Sequence, residues 1–247
     1  MKKCTTAQSL RQAIKLRILT NVILSVLVLS IGALCVSPLE PTVQTDGKEN
    51  EVYRSAGSDA KGVSLMINVY WGTEEVFQML DILEKHEAKA TFFIGGCWAD
   101  DNVSCLKEIA KRGHEIGNHG YFHKDQDKLN VAQNVKEISD CNQFIQLALG
   151  VQPTLFAPPS GAYSENTLSA CKQLTMTTIL WSKDTIDWRD KNAALIYQRA
   201  TKNVQIGDFI LMHPMKETVA ALDDILKYYQ THGLKAVTVS QNLQKEG

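Results

Sequence analysis

The stretch Val63-Ser-Leu-Met-Ile-Asn-Val-Tyr-Trp-Gly72 decides which fold this chain can adopt. Its short, continuous apolar run ends in a glycine, a pattern typical of a strand that is buried on both faces within a parallel sheet. One residue breaks the pattern, because Asn68 places a polar, uncharged amide inside the run. The stretch predicts a buried strand followed by a turn, and it leaves the role of that amide to be explained.

Apolar runs and amphipathic stretches alternate along the rest of the chain. The apolar runs cover residues 63–69, 90–95, 154–157, 177–181, 208–212 and 235–239. The amphipathic stretches cover residues 73–87, 103–112, 131–149, 165–174, 193–203 and 216–231. Glycines that favour helix ends follow several of these stretches, among them Gly150 and Gly233. Strands that alternate with helices predict an α/β fold with a parallel sheet, either open or closed into a barrel.

Polar and aromatic residues collect at one end of the predicted strands. At or just after the carboxyl ends lie Asn68, His119, His123, residues 157–161, Asp184, Asp187, Trp188 and His213. In parallel α/β folds, ligands bind beyond the carboxyl ends of the strands. Scattered surface residues would not sort in this way, so we expect the functional site at this edge of the sheet.

The N-terminal region differs from the rest in charge and hydropathy. Residues 1–17 carry five bases and no acid, and residues 18–36 form an apolar run of nineteen uncharged residues, long enough to cross a bilayer. The positive-inside rule predicts a cytoplasmic tail, a transmembrane signal anchor at 18–36, and a C-terminal part outside the cytoplasm. A cleaved secretory signal peptide is the alternative. Residues 37–60 have a linker's composition, and residues 61–247 form the predicted domain.

The composition and charge of the chain restrict the kinds of partner that it can bind. The chain has 247 residues, of which 44% are apolar, enough for a substantial core. Its formal net charge is −1, but without the five bases of residues 1–17 there remain 21 bases and 27 acids, a net charge of −6. Such a surface repels phosphate backbones, so we expect no nucleic-acid partner.

Four cysteines lie beyond the predicted anchor: Cys97, Cys105, Cys141 and Cys171. An exported location permits disulfides, which makes Cys97 with Cys105 a candidate local bridge. Burial of each cysteine as a small apolar side chain is the alternative. None of the four has the close spacing of a zinc cluster.

Two histidines in the segment 115–123 have the spacing of metal ligands. His119 and His123 are four residues apart, and one helical turn would bring both imidazoles to one face, where they could share Zn²⁺. Two unrelated surface histidines are the alternative. The two histidines therefore predict a metal site only if other residues nearby supply the remaining ligands.

Other candidate residues follow two later strands. His213 ends an apolar run, where a histidine is either a general acid or a hydrogen-bonded core group. Asp184 and Asp187 could orient a histidine, and Trp188 could stack on a sugar ring. The alternative for these three residues is a loop with two solvated carboxylates.

Six segments in a fixed order identify a family resemblance. They are Ser64–Val69, Lys89–Ile94, Gly113–His123, Phe156–Gly161, Asp184–Trp188 and Ile210–His213. In this order they closely resemble the polysaccharide deacetylase family, which is carbohydrate esterase family 4 or the NodB-homology domain. The likeness covers about residues 61–243 and is most similar to a branch of sporulation or cell-wall deacetylases. It implies a distorted (β/α) barrel that removes N-acetyl groups from chitin-like or peptidoglycan sugars.

The resemblance also implies roles for particular residues. A divalent metal such as Zn²⁺ would be held by His119 and His123 with an aspartate, and a second aspartate would be the base. His213 matches the general acid. Asp187 and Trp188 match the aspartate and the groove-lining tryptophan of the fourth motif.

Further residues around the expected cleft are predicted to bind an N-acetylated polysaccharide substrate. Trp71 ends the opening stretch, and Pro159 and Ser160 follow the predicted strand at 154–157. Their positions at the carboxyl edge would place them against a bound sugar. We expect Trp71, Pro159 and Ser160, with Trp188, to form the substrate-binding surface.

The first motif departs from the family pattern. Asn68 stands where the base is expected and Val69 where the metal-binding aspartate is expected. An amide cannot accept a proton at neutral pH, and valine offers no ligand. Ala157 stands in place of the arginine that pairs with the base, and Gly120 in place of a serine or threonine. Loss of the aspartate together with its arginine avoids leaving a buried charge unpaired.

Three accounts of function follow from these residues. In the first, the protein is a weak or specialised metal-dependent N-deacetylase, with water or a substitute carboxylate, Glu74 or Asp184, completing the site. In the second, it is an inactive glycan-binding pseudoenzyme at the cell wall. In the third, Asn68 merely caps a strand end and the cleft is vestigial. Family resemblance favours the first account, which we predict, while the chemistry at positions 68 and 69 argues against efficient turnover.

Overall fold

A computed structural model describes residues 52–243, and nine strands in this part of the chain form one parallel sheet. The strands are β1 Val52–Tyr53, β2 Val63–Val69, β3 Thr91–Ile94, β4 Glu115–Asn118, β5 Leu155–Phe156, β6 Thr177–Ile179, β7 Lys183–Asp184, β8 Phe209–Met212 and β9 Ala236–Val237. Their order across the sheet is β1-β6-β5-β4-β3-β2-β8-β7, with β9 beside β2. All the pairings between these strands are parallel, as the alternation of strands and helices predicts.

Helices connect the strands. They are α1 Thr73–Lys85, α2 Gly96–Asp101, α3 Val103–Lys111, α4 Val131–Leu149, α5 Glu165–Gln173, α6 Asp187–Asp190, α7 Ala193–Thr201, α8 Lys216–Thr231 and α9 Val239–Leu243. Helix α4 begins at a capping box, in which Asn130 and Gln133 exchange side-chain and backbone hydrogen bonds, and it ends at Gly150 in the left-handed conformation. The six predicted helices are confirmed within one or two residues at each end.

The central position of β2 in the sheet explains why its sequence is apolar. It pairs with β3 on one side and with β8 on the other, and all seven of its residues are buried. Leu65 and Ile67 pack in the core cluster that includes the helices, whereas Met66 packs with Phe93 in a separate cluster. Because successive side chains of a strand point to opposite faces, a strand buried on both faces needs a continuous apolar run.

The row of strands curls back toward its own beginning. Strand β1 lies at one end of the order and β7 at the other. An isolated antiparallel bridge joins Ser55, just after β1, to Asp208, just before β8. The result is a curled parallel sheet with surrounding helices, which agrees with the predicted distorted (β/α) barrel.

The N-terminal boundary of the fold differs from the prediction. Val52 and Tyr53, within the predicted linker 37–60, form β1 and pair with β6. A two-residue edge strand is held by backbone hydrogen bonds and needs no apolar periodicity, so composition alone does not reveal it. The predicted tail 1–17 and anchor 18–36 lie outside the described residues. Between residues 52 and 243, none of the helices combines the length and hydropathy that crossing a bilayer requires.

The candidate disulfide is not present. Cys97, Cys105, Cys141 and Cys171 are all unpaired. Helix α3 turns Cys105 into the core, where burial raises the pKa of its thiol to about 11. Cys97 instead meets the hydroxyl of Tyr70. Helix α3 places the thiol of Cys105 in the core, away from Cys97. The alternative prediction, that the cysteines are buried as small apolar side chains, is therefore correct for Cys105, Cys141 and Cys171.

Candidate active site

A cleft of about 410 Å³ opens among residues that follow the strands at their carboxyl ends. Its lining consists of Asn68, Trp71, His119, His123, Ser160, Trp181, Asp184, Trp188, Leu211 and His213. Most of these residues were expected at this edge of the sheet from sequence alone. The structure thus brings into one cavity residues from five separate segments of the chain.

His119 follows β4 and is almost fully buried. Its Nδ1 lies 2.7 Å from the backbone oxygen of Ala157. Because a carbonyl oxygen only accepts hydrogen bonds, Nδ1 carries the proton and Nε2 is left with its lone pair. Burial lowers the pKa of His119 to about 3, so the ring is neutral at physiological pH.

His123 meets His119 through a bend in a loop, whereas the spacing of four suggested a helical turn. The backbone at His123 has a φ of 54°, in the left-handed region. The two imidazole centroids are 5.0 Å apart, and the ring of Tyr70 lies 4.7 Å from that of His123 on its other side. A loop that folds back, not helical periodicity, therefore juxtaposes the two rings.

A buried carboxylate holds this loop. Glu137 of α4 is 3% exposed, and its Oε1 accepts a hydrogen bond from the backbone N–H of Phe122. Its backbone oxygen accepts a second bond, from the N–H of Tyr121, and Lys124 lies 3.7 Å from its Oε2. Sequence reasoning missed Glu137, because it lies on a helix far from every motif. Its only sequence signal is an acid among the residues of α4 that face the protein interior.

The residues present do not fit a divalent metal. His119 and His123 supply two imidazoles, but Val69 is fully buried and packs in the core cluster with the helices. Across residues 52–243, no three His, Cys, Asp or Glu side chains come close enough together to hold an ion. Catalytic zinc sites use three protein ligands. The donor set is therefore one ligand short of the site that the family resemblance implies.

His213 and Asp187 form a tightly held pair. The Nδ1 of His213 lies 2.8 Å from Oδ1 of Asp187, and its backbone N–H donates to Oδ2 at 2.6 Å. Thr218 also donates to Oδ2, at 2.8 Å. Asp187 is fully buried, which by itself would raise its pKa, but these hydrogen bonds outweigh burial and the pKa is lowered. The ionised carboxylate fixes the proton of His213 on Nδ1 and leaves Nε2 available at the cleft.

Asp184 is the carboxylate of the cleft lining. It lies in β7, and its Oδ1 accepts a hydrogen bond of 2.7 Å from the backbone N–H of Ile186. Burial raises the pKa of Asp184 above its ordinary value. A carboxylate with a raised pKa beside histidines is suited to exchanging protons nearer neutral pH.

Trp71, in the loop after β2, covers the imidazole of His213. Its ring is stacked on that of His213, with centroids 5.6 Å apart and an interplanar angle of 10°. Its Nε1 donates to the sulfur of Met215 at 3.3 Å. The next residue, Gly72, has a φ of 78°, and a Cβ there would lie 2.3 Å from the oxygen of Pro214. Only glycine permits the close approach that places Trp71 on His213.

Two further tryptophans line the cleft. Trp188 is the second residue of the short helix α6 and is 51% exposed. Trp181 is half-buried and packs against Gly161. Trp181 was not predicted as a site residue, although it ends the apolar run 177–181, where its position at a strand end was the available signal.

Asn68 lies at the inner end of the cleft and is 4% exposed. Its Oδ1 is buried and has no hydrogen-bond partner in the described part of the chain. The position is thus occupied by a neutral amide with an unsatisfied acceptor. An unpaired buried acceptor is destabilising, so this side chain does not act as a simple strand cap.

Two predicted site residues lie away from the cleft lining. Glu74 is exposed in the first turn of α1, where a carboxylate favours the helix N-terminus. Pro159 is buried, while its neighbour Ser160 is exposed, has a φ of 57° and lines the cleft. The structure therefore brings together Asn68, Trp71, the three histidines, Ser160 and Trp188, with Asp187 behind His213.

Comparison with known proteins matches the chain to members of one family. A family model described as polysaccharide deacetylase matches residues 56–179. The uncharacterized protein YlxY of Bacillus subtilis is 36% identical over 205 residues, which cover 83% of this chain and 64% of YlxY. The peptidoglycan-N-acetylmuramic acid deacetylase PdaC of the same species is 36% identical over 66% of this chain and 35% of PdaC. A peptidoglycan-N-acetylglucosamine deacetylase of Bacillus cereus is 34% identical over 68% of this chain and 81% of that protein. The chain thus spans less than two thirds of YlxY and of PdaC.

Solved structures point the same way. BA3943 of Bacillus anthracis, described as a CE4 family pseudoenzyme, superposes with a TM-score of 0.77 at 32% identity, over 80% of this chain and 70% of that one. A mutant of BA3943, described as having restored enzymatic activity, gives the same TM-score at 30% identity, over 80% of this chain and 72% of that one. The fold of residues 52–243 is therefore shared with proteins that differ in activity.

Proposed function

Since the chain belongs to the polysaccharide deacetylase family, we propose that its cleft binds an N-acetylated sugar of the cell-wall glycan and that this recognition is its function. Relatives named as peptidoglycan deacetylases support the choice of glycan. The likeness to a pseudoenzyme of the same family supports separating binding from hydrolysis.

One observation carries the proposal: aromatic rings flank a cleft that is otherwise small and sheltered. Trp71 and Trp188 are 39% and 51% exposed, and both line the cavity of about 410 Å³. A sugar ring offers an apolar C–H face that can stack on exposed indole rings such as these. The cavity volume lies within the range of small-molecule sites.

Hydrolysis of the N-acetyl group is the second candidate, and the His213–Asp187 pair favours it. With its proton held on Nδ1, His213 can protonate a leaving amine only after Nε2 itself gains a proton, and the buried Asp187 stabilises that cationic ring. Asp184 is the carboxylate in the lining that can take a proton from water. Because Asn68 and Val69 provide neither a base nor a ligand, we expect any turnover to be slow.

A location outside the cytoplasm belongs to the same proposal. The glycan lies beyond the membrane, and residues 18–36, outside the described residues, are the predicted signal anchor. Full-length protein should therefore fractionate with membranes and be removed by protease treatment of intact cells. A shortened protein found only in soluble fractions would contradict the anchor.

Binding and acetate release, measured on the same full-length protein, test both candidates. Chitin oligomers and peptidoglycan fragments are titrated by calorimetry, and free acetate is assayed in the same mixtures. Trp188→Ala should weaken binding roughly tenfold, because it removes an exposed stacking ring. Phe77→Ala is the matched control, since Phe77 is 36% exposed but lies outside the cleft lining, and it should leave affinity unchanged.

The outcomes separate the two candidates. Failure to bind either glycan would contradict the proposal. Acetate release that is lost in His213→Gln while binding persists would establish hydrolysis. Release that survives this substitution would exclude the His213–Asp187 pair as its source.

A further inference from the structure

Four side chains that line the cleft carry an acceptor atom to which no donor of residues 52–243 is bonded. His119 and His213 each donate from Nδ1 to a neighbouring oxygen, so each ring keeps a lone pair on Nε2. Asp184 uses only Oδ1 in a hydrogen bond, which leaves Oδ2 unbonded. Asn68 has a side-chain oxygen that is buried and unpaired. A lining of this kind is matched to a ligand that brings donors.

The negative charge of the cleft has no cation beside it. Within the described residues 52–243, no lysine or arginine lines the cleft, and the Asp184 carboxylate, bonded to the N–H of Ile186, forms no ion pair. Arg199 is close enough to act on Asp184 electrostatically. Its guanidinium, however, is bonded to Asp190 and to the backbone oxygen of Thr185. The charge of Asp184 is therefore left for a ligand to neutralise.

These acceptors fit an ammonium group better than they fit a metal or an acetamido group. Two imidazoles are one protein ligand short of a zinc site. A primary ammonium group needs only acceptors at hydrogen-bond distance, and it brings three donors, a positive charge and no acceptor. An acetamido group satisfies fewer of the acceptors, because it brings a single N–H and an oxygen acceptor of its own. The tryptophans of the lining add indole faces, which attract cations.

From this disagreement between the donor set and a metal, we propose that the cleft binds the primary ammonium group of a de-N-acetylated sugar within the glycan strand. The inference rests on the proposed glycan binding and specifies which unit of the strand enters the cleft. N-acetylated neighbours in the same strand lie against the exposed ring of Trp188, and the free amino group lies beside Asp184 and the imidazoles. The protein thereby recognises wall strands that a deacetylase has already modified.

The first test compares oligomers that differ at one sugar. The full-length protein is titrated by calorimetry with N-acetylglucosamine oligomers and with oligomers of the same length in which one unit is glucosamine, below the pKa of the sugar amine. We expect at least about tenfold tighter binding of the oligomer that carries the amine, because a hydrogen bond to a charged group is added. Equal or weaker binding of that oligomer would overturn the inference while leaving glycan binding in place. No binding of either oligomer would overturn both.

A second ligand separates the sugar from its amine. Lysine amide carries a primary ammonium group without a sugar ring. It should bind at least about tenfold more weakly than the glucosamine-containing oligomer, because it has no ring to stack on Trp188. Equal affinity would show that the amine is bound without the glycan and would overturn the assignment to a sugar.

A variant at position 184 then locates the preference. Asp184→Asn removes the charge but keeps an oxygen for the N–H of Ile186, and it should lower the affinity for the glucosamine-containing oligomer to about that for the acetylated one. Asp224→Asn is the matched control, because Asp224 is 68% exposed and lies outside the cleft lining. It should leave the ratio of the two affinities unchanged. A preference for the amine that persists in Asp184→Asn, or that is lost equally in both variants, would overturn the proposal.

Discussion

The imidazole of His213 is clamped between the carboxylate of Asp187 and the indole of Trp71. Asp187 Oδ1 lies 2.8 Å from Nδ1, and the Trp71 ring is stacked on the imidazole with centroids 5.6 Å apart. The clamp fixes both the tautomer and the plane of the histidine. It joins three separate segments of the chain, so its disruption should be visible in stability as well as in ligand binding.

Asp187→Asn should destabilise the fold. The buried carboxylate accepts hydrogen bonds from His213 and Thr218, and an amide replaces one acceptor with a donor that faces those donors. We expect the free energy of unfolding to fall by about 2 to 4 kcal/mol, measured by urea denaturation. Asp224→Asn is the control, because Asp224 is 68% exposed, and it should cost less than about 0.5 kcal/mol. Equal effects at the two sites would refute the clamp.

Stability should decrease as the pH falls from 6.5 toward 4. Burial lowers the pKa of His114 from 6.5 to about 4, and its Nδ1 accepts a hydrogen bond from the N–H of Ala90. Between these values the unfolded chain binds a proton that the folded chain excludes, so acid favours unfolding. The free energy of unfolding should therefore fall by about 2 kcal/mol less between pH 7 and pH 4.5 in His114→Gln than in the parent protein. His232→Gln, an exposed site, should leave the slope as in the parent protein.

Glu137→Ala should loosen the loop that carries His123. The N–H of Phe122 donates to the Glu137 carboxylate, and without that acceptor its amide should exchange with solvent about tenfold faster. Hydrogen exchange of residues 120–123, followed by mass spectrometry, measures this change. Glu137→Gln, which keeps an acceptor, should restore most of the protection. Asp140→Ala on the same helix is the control, and equal loosening in that variant would contradict a specific role for Glu137.

Gly72→Ala should cost more than Gly150→Ala. Both glycines have positive φ values, 78° and 72°, so both substitutions carry the conformational cost of a left-handed alanine, about 1 kcal/mol. Only at position 72 would the new Cβ also meet the oxygen of Pro214, whereas nothing lies within 4 Å at position 150. We expect an additional loss of about 1 to 3 kcal/mol at position 72, from thermal or urea unfolding. Equal losses would show that the contact with Pro214 relaxes easily.

Zinc should bind weakly. The two imidazoles of His119 and His123 lack the third protein ligand, since Val69 packs in the core. We expect the midpoint of thermal unfolding to be the same with added Zn²⁺ and with a chelator, within about 1 °C. Tight binding of one equivalent by equilibrium dialysis, lost in His119→Ala, would show that another group completes the site.

The arrangement of strands and helices was predictable because burial requires a periodic pattern of apolar residues in the sequence. Strand β2 and the helices around it coincide with the predicted segments, since a strand buried on both faces and a helix buried on one face require different apolar patterns. The two-residue strand β1 has no such apolar pattern, because it is held by backbone hydrogen bonds to β6. The family resemblance was confirmed by the comparisons for the same reason: the motifs mark the ends of regular strands.

The site was predictable in its residues but not in its contacts. His119, His123, His213 and Trp188 were recognised from motifs, and all four line one cleft. The loop that folds His123 back, and the Glu137 carboxylate that holds it, were not recognisable, because Phe122 and Glu137 are fifteen positions apart and such a contact has no local pattern.

By itself, the sequence determined the α/β class, the family, the edge of the sheet that bears the site, and the absence of carboxylates at positions 68 and 69. Side-chain chemistry and local periodicity are properties of the chain alone. Only the tertiary structure decided that Val69 turns into the core, that Asn68 lines the cleft while its side-chain oxygen is buried and unpaired, and that Trp71 lies on His213. These depend on the register and twist of neighbouring strands, which set the face to which each side chain points and are formed by contacts distant in sequence.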